Sequence, residues 1–167
     1  MIKFFDLYKQ DKPLFNFFLK DLKSLLKKND YILGESVNKF EMKFSKFCNC
    51  KYSIGVANGT DALTLALKAL NLKEGSEVII PAMTYCSTAF AVINANLKPV
   101  LVDIESNSPL IAVDKIKKKI NSKTKVIMPV HLYGSVVNID KIKKIIKKKS
   151  IFLIDDCSQA HGAIYNH

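Results

Sequence analysis

From residue 52 onward the chain alternates between short apolar runs and amphipathic stretches, and this alternation leaves few folds open. Apolar runs at 53–58, 77–81, 99–103, 125–130 and 151–155 read as strands. Helical patterns at 60–70, 84–94, 113–120 and 138–149 separate them. Strands that alternate with helices build βαβ units, so the expected fold is α/β, a mostly parallel sheet covered by helices on both faces. No repeat, low-complexity tract or obvious linker interrupts the pattern.

The residues at the strand ends point to a site. The first run ends at Asn58, Gly59 and Thr60, and the second at Pro81, just before Thr84 and Tyr85. The third ends at Asp103 and the fourth at His131. The fifth ends on Asp155 and Asp156, with Gln159, His161 and Gly162 close behind. A buried strand that ends in acids is costly unless something there uses the charge. In an open parallel sheet that carboxyl edge is where ligands sit.

Ahead of the alternation lie two helical stripes. Phe15, Phe18, Leu22 and Leu25 mark the first, with Asp11 before Pro13 as its start signal. Val37, Phe40, Phe44 and Phe47 mark the second. The expected division is therefore a helical arm over 1–50, packing on the main body or on a partner subunit, and an α/β domain over 51–167.

Charge and composition exclude several classes. The net charge is +11, yet all 26 basic residues are lysine. Arginine is the side chain that forks onto phosphates and guanines, so specific nucleic-acid readout is not expected; the lysines read as solvated helix faces. No run approaches the ~20 apolar residues of a membrane span, and the N-terminus lacks a signal peptide's apolar core, so the expected setting is cytoplasmic. Cys48, Cys50, Cys86 and Cys157 lack zinc-site spacing and read as buried or half-buried free thiols, with no metal expected.

The chemistry follows from residue types. Asn58-Gly-Thr-Asp-Ala-Leu63 joins a strand to a helix, whose free N–H groups, dipole and Thr60 hydroxyl make an anion site. Asp61 in the first turn suits the dipole, and Thr60 or Asn58 could equally close the helix as a plain cap. Asp156 could hold a proton on a heterocyclic nitrogen, with Gln159 bonding a nearby ring oxygen; an aspartate capping a helix is the alternative. Tyr85 could stack on a flat ring or sit in the core, and His131 could be a polar wall or a satisfied interior histidine. A phosphate cradle, an aromatic plate and a carboxylate for a ring nitrogen together describe pyridoxal 5′-phosphate (PLP), an electron sink only while its pyridine nitrogen keeps a proton.

Seven runs carry a family resemblance: 5–7, Gly34 through Phe40 and Glu41, 56–63, 81–85, 99–103, 129–134 and 155–163. On them the chain resembles the DegT/DnrJ/EryC1/StrS family of PLP-dependent sugar aminotransferases, of the aspartate-aminotransferase fold type. The resemblance implies that Gly59, Thr60 and Asp61 hold phosphate, Tyr85 stacks on the ring, Asp156 pairs with its nitrogen and Gln159 lies by its hydroxyl. His131 and His161 are candidates on the substrate side. It also implies transfer of an amino group from glutamate to a nucleotide-linked keto sugar, and a homodimer. The family's Schiff-base lysine lies downstream of the Asp156 motif, past His167, so no catalytic residue is expected within the chain and it reads as an N-terminal portion. Relatives with histidine at that position are dehydratases. The alternative reading is an inactive remnant or a docking partner of a full-length homologue. In this fold type the strand before the phosphate loop borders strands that come later in sequence, so the isolated polypeptide is expected to be marginally stable or aggregation-prone.

Overall fold

A computed structural model describes residues 4–165. The chain divides into two units, Met1–Gly55 and Val56–His167. The first is helical, with α1 (Leu7–Asp11), one 3-10 turn at Lys12–Leu14, α2 (Phe15–Lys28) and α3 (Glu35–Phe47). Asp6, not Asp11, opens the helical run: its carboxylate accepts the Lys9 N–H at 3.1 Å. Pro13 falls in the 3-10 turn, where its missing N–H costs little. α2 ends on Asn29 in the left-handed region, with φ 52°.

The start of α3 is capped from upstream. Asp30 accepts the Ser36 N–H at 3.0 Å and the Ser36 hydroxyl at 2.7 Å. The Ser36 hydroxyl is the main cause that holds its carboxyl below the usual range. Gly34 makes this possible, since a Cβ there would collide with the Asp30 carboxylate. Further along α3, Glu41 accepts the Gly55 N–H at 2.7 Å and fixes the chain that leaves the helix.

The second unit alternates as expected. Its elements are α4 (Gly59–Ala69), β1 (Glu77–Pro81), α5 (Ser87–Asn94), β2 (Lys98–Val102), α6 (Val113–Lys119), β3 (Thr124–Ile127), α7 (Ile139–Ile146) and β4 (Phe152–Leu153). The described sheet has the order β2-β1-β3-β4, and every pair is parallel. Glu77 stands opposite Lys98 on one side and Thr124 on the other. Side chains alternate across the sheet, so β1 feeds two cores. Val78 and Ile80 pack with Leu63 and Leu67 of α4 and Ala91 and Val92 of α5. Ile79 packs with Ile116 of α6 and with Ile139 and Ile142 of α7. Helices thus cover both faces, which is the α/β class read from the alternation.

Two expectations are corrected. Residues 53–58 form no strand, and Ile54 is 81% exposed. Apolar composition makes a strand only where a neighbour offers a ladder, and no described strand lies beside this stretch. The cysteines are not buried: all four are free and exposed. Cys48 and Cys50 follow α3, while Cys86 and Cys157 sit on loops beyond the strand ends.

At the opposite edge of the sheet from those loops lies Glu77, whose side chain is 8% exposed. It accepts from Asn121 Nδ2 at 2.7 Å and from Lys98 Nζ at 3.4 Å, tying β1 to β2 and to the turn before β3. The Asn121 bond first, and then Lys98, lowers its pKa from 4.5. A carboxyl lowered on folding adds stability above its unfolded value and loses it as pH falls through the folded one. Glu77→Leu is expected to cost about 1–3 kcal/mol at neutral pH. Urea unfolding should also show the variant losing less stability than the parent below about pH 4.5.

Candidate cofactor site

At the N-terminus of α4, Asn58 is the cap. Its Oδ1 accepts the Asp61 N–H at 2.9 Å, and its Nδ2 donates to Asp61 Oδ2 at 2.9 Å. The Ala62 N–H goes to the Asn58 carbonyl, so the amides of Gly59 and Thr60 are the first-turn donors without a helical partner. The Thr60 hydroxyl donates to Ser87 Oγ at 2.8 Å, linking α4 to the start of α5.

Beyond β3 and β4 the chain runs on as paired extended segments. The Asp156 N–H donates to the Pro129 carbonyl, and the His131 N–H to the Asp156 carbonyl, both at 3.0 Å. Neighbours on an extended chain face opposite ways. Asp156 accordingly faces the α4 and α5 side, where it is 5% exposed, while Asp155 faces His131. Asp156 Oδ1 accepts from the Ser158 hydroxyl at 2.6 Å and the Ser158 N–H at 3.1 Å. Its Oδ2 accepts from the Thr88 hydroxyl at 3.4 Å. No helix follows among the described residues, and there Asp156 closes a local turn.

Gln159 is held by Tyr133, whose N–H donates to Oε1 at 2.9 Å. That contact fixes the amide: the oxygen faces the N–H, and Nε2 is left as a donor. Tyr133 adopts φ 54°, a left-handed conformation uncommon for a residue with a Cβ.

Gly59, Thr60, Tyr85, Asp156 and Gln159 all line one cavity of about 220 Å³. Thr84, Ser87, Thr88 and Ser158 add hydroxyls to its wall, over an apolar floor of Leu63, Val130 and Leu132. The volume is below the ~300–1,000 Å³ of drug-sized ligand sites. Three candidates do not line it. Asp61 spends its N–H on Asn58, and its carboxylate is tied to the same side chain. His161 is exposed in the turn before Gly162. His131 is 4% exposed and lies on the Asp155 side.

His131 is the interior histidine of the two readings. Its Nδ1 accepts the Val137 N–H at 3.0 Å, and its Nε2 is 3.6 Å from Asp155 Oδ1. Asp155, and then Cys157, push its pKa up to about 9. A second ring proton would have to sit on Nδ1 and displace the Val137 amide. The Val137 bond, which needs a lone pair on Nδ1, therefore opposes the upward push.

Ser87, Thr88 and Ser158 were not singled out from the sequence. The i, i+4 spacing of Thr84 and Thr88 and the Asp-x-Ser turn at Asp156 are the signals that carry Thr88 and Ser158. Among the described residues no lysine lines the cavity, no cluster is placed to hold a metal ion, and no helix is long and apolar enough to cross a membrane.

Fold and site together define an α/β protein with a ligand cavity at the carboxyl ends of its parallel strands. The chain belongs to the DegT/DnrJ/EryC1/StrS aminotransferase family, whose sequence profile matches residues 14–167. It is 44% identical over 166 residues to the dTDP-3-amino-3,6-dideoxy-alpha-D-galactopyranose transaminase of Aneurinibacillus thermoaerophilus, covering 99% of this chain and 46% of that protein. Its fold matches the crystal structure of S. venezuelae DesV in complex with a ketimine intermediate at a TM-score of 0.93 and 31% identity, covering 96% of this chain and 43% of that one. It also matches E. coli GDP-4-keto-6-deoxy-D-mannose-3-dehydratase with bound hydrated PLP, at a TM-score of 0.83 and 32% identity, covering 89% of this chain and 40% of that one. The chain thus spans less than half the length of each of these relatives.

Proposed function

We propose that this chain forms the cofactor-gripping wall of a PLP-dependent aminotransferase that moves an amino group from glutamate to a nucleotide-linked keto sugar. One observation carries the reading: a buried carboxylate, the open end of a helix and an exposed aromatic ring share a single small cavity. The donor set fits PLP. The Gly59 and Thr60 amides would hold its phosphate, joined by the Thr60 hydroxyl once its proton turns from Ser87; Tyr85 would cover one face of its ring, Asp156 would bond its nitrogen, and Gln159 Nε2 would donate to its ring oxygen. When bound, PLP supplies the electron sink for amino transfer. Asp61 acts through Asn58, fixing the cap whose neighbours hold the phosphate. His131 and His161 are kept as substrate-side groups only in an assembled enzyme. A homodimer and a cytoplasmic setting complete the reading, and the four exposed free thiols support a reducing compartment.

That no lysine lines the cavity supports the second part of the proposal: the chain by itself holds PLP without a covalent tie and does not turn over. Titrating the polypeptide with PLP and following protein fluorescence tests both parts. Saturable binding that inorganic phosphate competes away, and that dialysis reverses after borohydride treatment, is the expected result. A folded chain that fails to saturate sinks the cofactor assignment. A borohydride-fixed adduct on one lysine sinks the non-covalent part.

A further inference from the structure

The Asp156 carboxylate is held by more than its own backbone. Thr88 is 1% exposed, and its hydroxyl has two partners: Asp156 Oδ2 at 3.4 Å and Thr84 Oγ1 at 2.9 Å. A carboxylate only accepts, so the single Thr88 proton goes to Asp156 and Thr84 donates to Thr88. The direction of the chain of hydroxyls is thereby settled, Thr84 to Thr88 to Asp156. On the other oxygen, the Ser158 hydroxyl at 2.6 Å lies within the range of a charge-assisted bond. Ser158 belongs to the local turn, but Thr88 comes from α5 and reaches across 68 positions of sequence.

We propose that Thr88 and Ser158 are positioning residues that clamp the Asp156 carboxylate from both oxygens and so aim it at the ligand's ring nitrogen. The inference rests on the PLP reading. Ser158 supplies the stronger grip and Thr88 sets the tilt, because the α5 hydroxyl alone ties the carboxylate to an element outside its own loop. Thr84, one step further back, passes the constraint to the loop that carries Tyr85. The stacking ring and the nitrogen partner are then registered against each other through this chain of hydroxyls.

The test uses the intact chain with isotope-labelled PLP, and reads affinity by fluorescence and protonation of the ring nitrogen by nitrogen NMR across pH. Wild-type chain that binds no PLP overturns the cofactor reading itself and is told apart at this first step. Given binding, Ser158→Ala and Thr88→Val are each expected to weaken affinity about tenfold, the size of one lost hydrogen bond to a charged group. The ring nitrogen should lose its proton at lower pH in both variants, and Thr88→Ser should restore both readouts. Thr84→Val, which leaves the Thr88–Asp156 bond in place, should shift the nitrogen less than Thr88→Val. Loss of affinity with an unmoved nitrogen titration would make these residues plain packing groups and overturn the proposal. Wild-type values in Ser158→Ala and Thr88→Val would do the same. If Thr88→Val does not fold, Ser158→Ala and Thr88→Ser still decide the matter.

Discussion

Asp156→Asn is expected to weaken PLP binding on the order of 100-fold while leaving the fold intact. The substitution keeps the shape of the side chain and an oxygen for Ser158, so the turn at 156–158 has its bonds. What it removes is the negative charge at the one buried carboxylate that faces the cavity. Removing one partner of a buried, hydrogen-bonded charge pair costs about 2–5 kcal/mol, and 1.4 kcal/mol is tenfold. Tyr85→Ala should cost less, because an exposed ring contributes mainly apolar cover. Isothermal titration with PLP at fixed pH and salt checks both. Equal affinity of Asp156→Asn and the parent would leave the carboxylate without a role in ligand binding.

Ile79→Ala is expected to be the most damaging single change to stability, at about 2–5 kcal/mol. Ile79 is fully buried at the middle of β1 and packs against Ile127, Ile116 and Ile142. A domain has only about 5–15 kcal/mol to lose, so the variant should be partly unfolded near physiological temperature. Ile54→Ala is the control: its side chain is already 81% exposed, and the change should fall within about 0.5 kcal/mol. Urea unfolding of the three chains, followed by far-UV circular dichroism, would rank them. A small effect at Ile79 would mean that the core on the α6 and α7 side is not packed as described.

How much of this was legible beforehand depends on how local each feature is. The β1 run 77–81 and the α7 stripe of Ile139, Ile142 and Ile146 announce themselves, because a strand's or helix's period is written in adjacent residues. Thr60, Tyr85 and Asp156, each at or just past the end of an apolar run, line one cavity, and that the ends of such runs gather in space is legible from the alternation alone. Residues 53–58 were misread for the opposite reason. Their apolar content is that of a strand, but a ladder needs a partner that no local pattern reveals. A phosphate role for Asp61 rests on the resemblance alone, and no local pattern shows that its N–H goes to Asn58, three residues away. Thr88 escaped notice because a threonine early in an apolar helix looks like filler until a carboxylate 68 positions later turns toward it. Glu77, a charge inside a strand, makes sense only once Asn121 arrives from the far end of α6.

The central place of β1 has a consequence for measurement. Its amides lie between two ladders and beneath helices on both faces, so local fraying cannot expose them to solvent. Deuterium should enter at Ile79 and Ile80 only when the whole second unit comes apart. The exchange rate of those two protons would then serve as a built-in gauge of its global opening, readable without denaturant and at any ligand concentration.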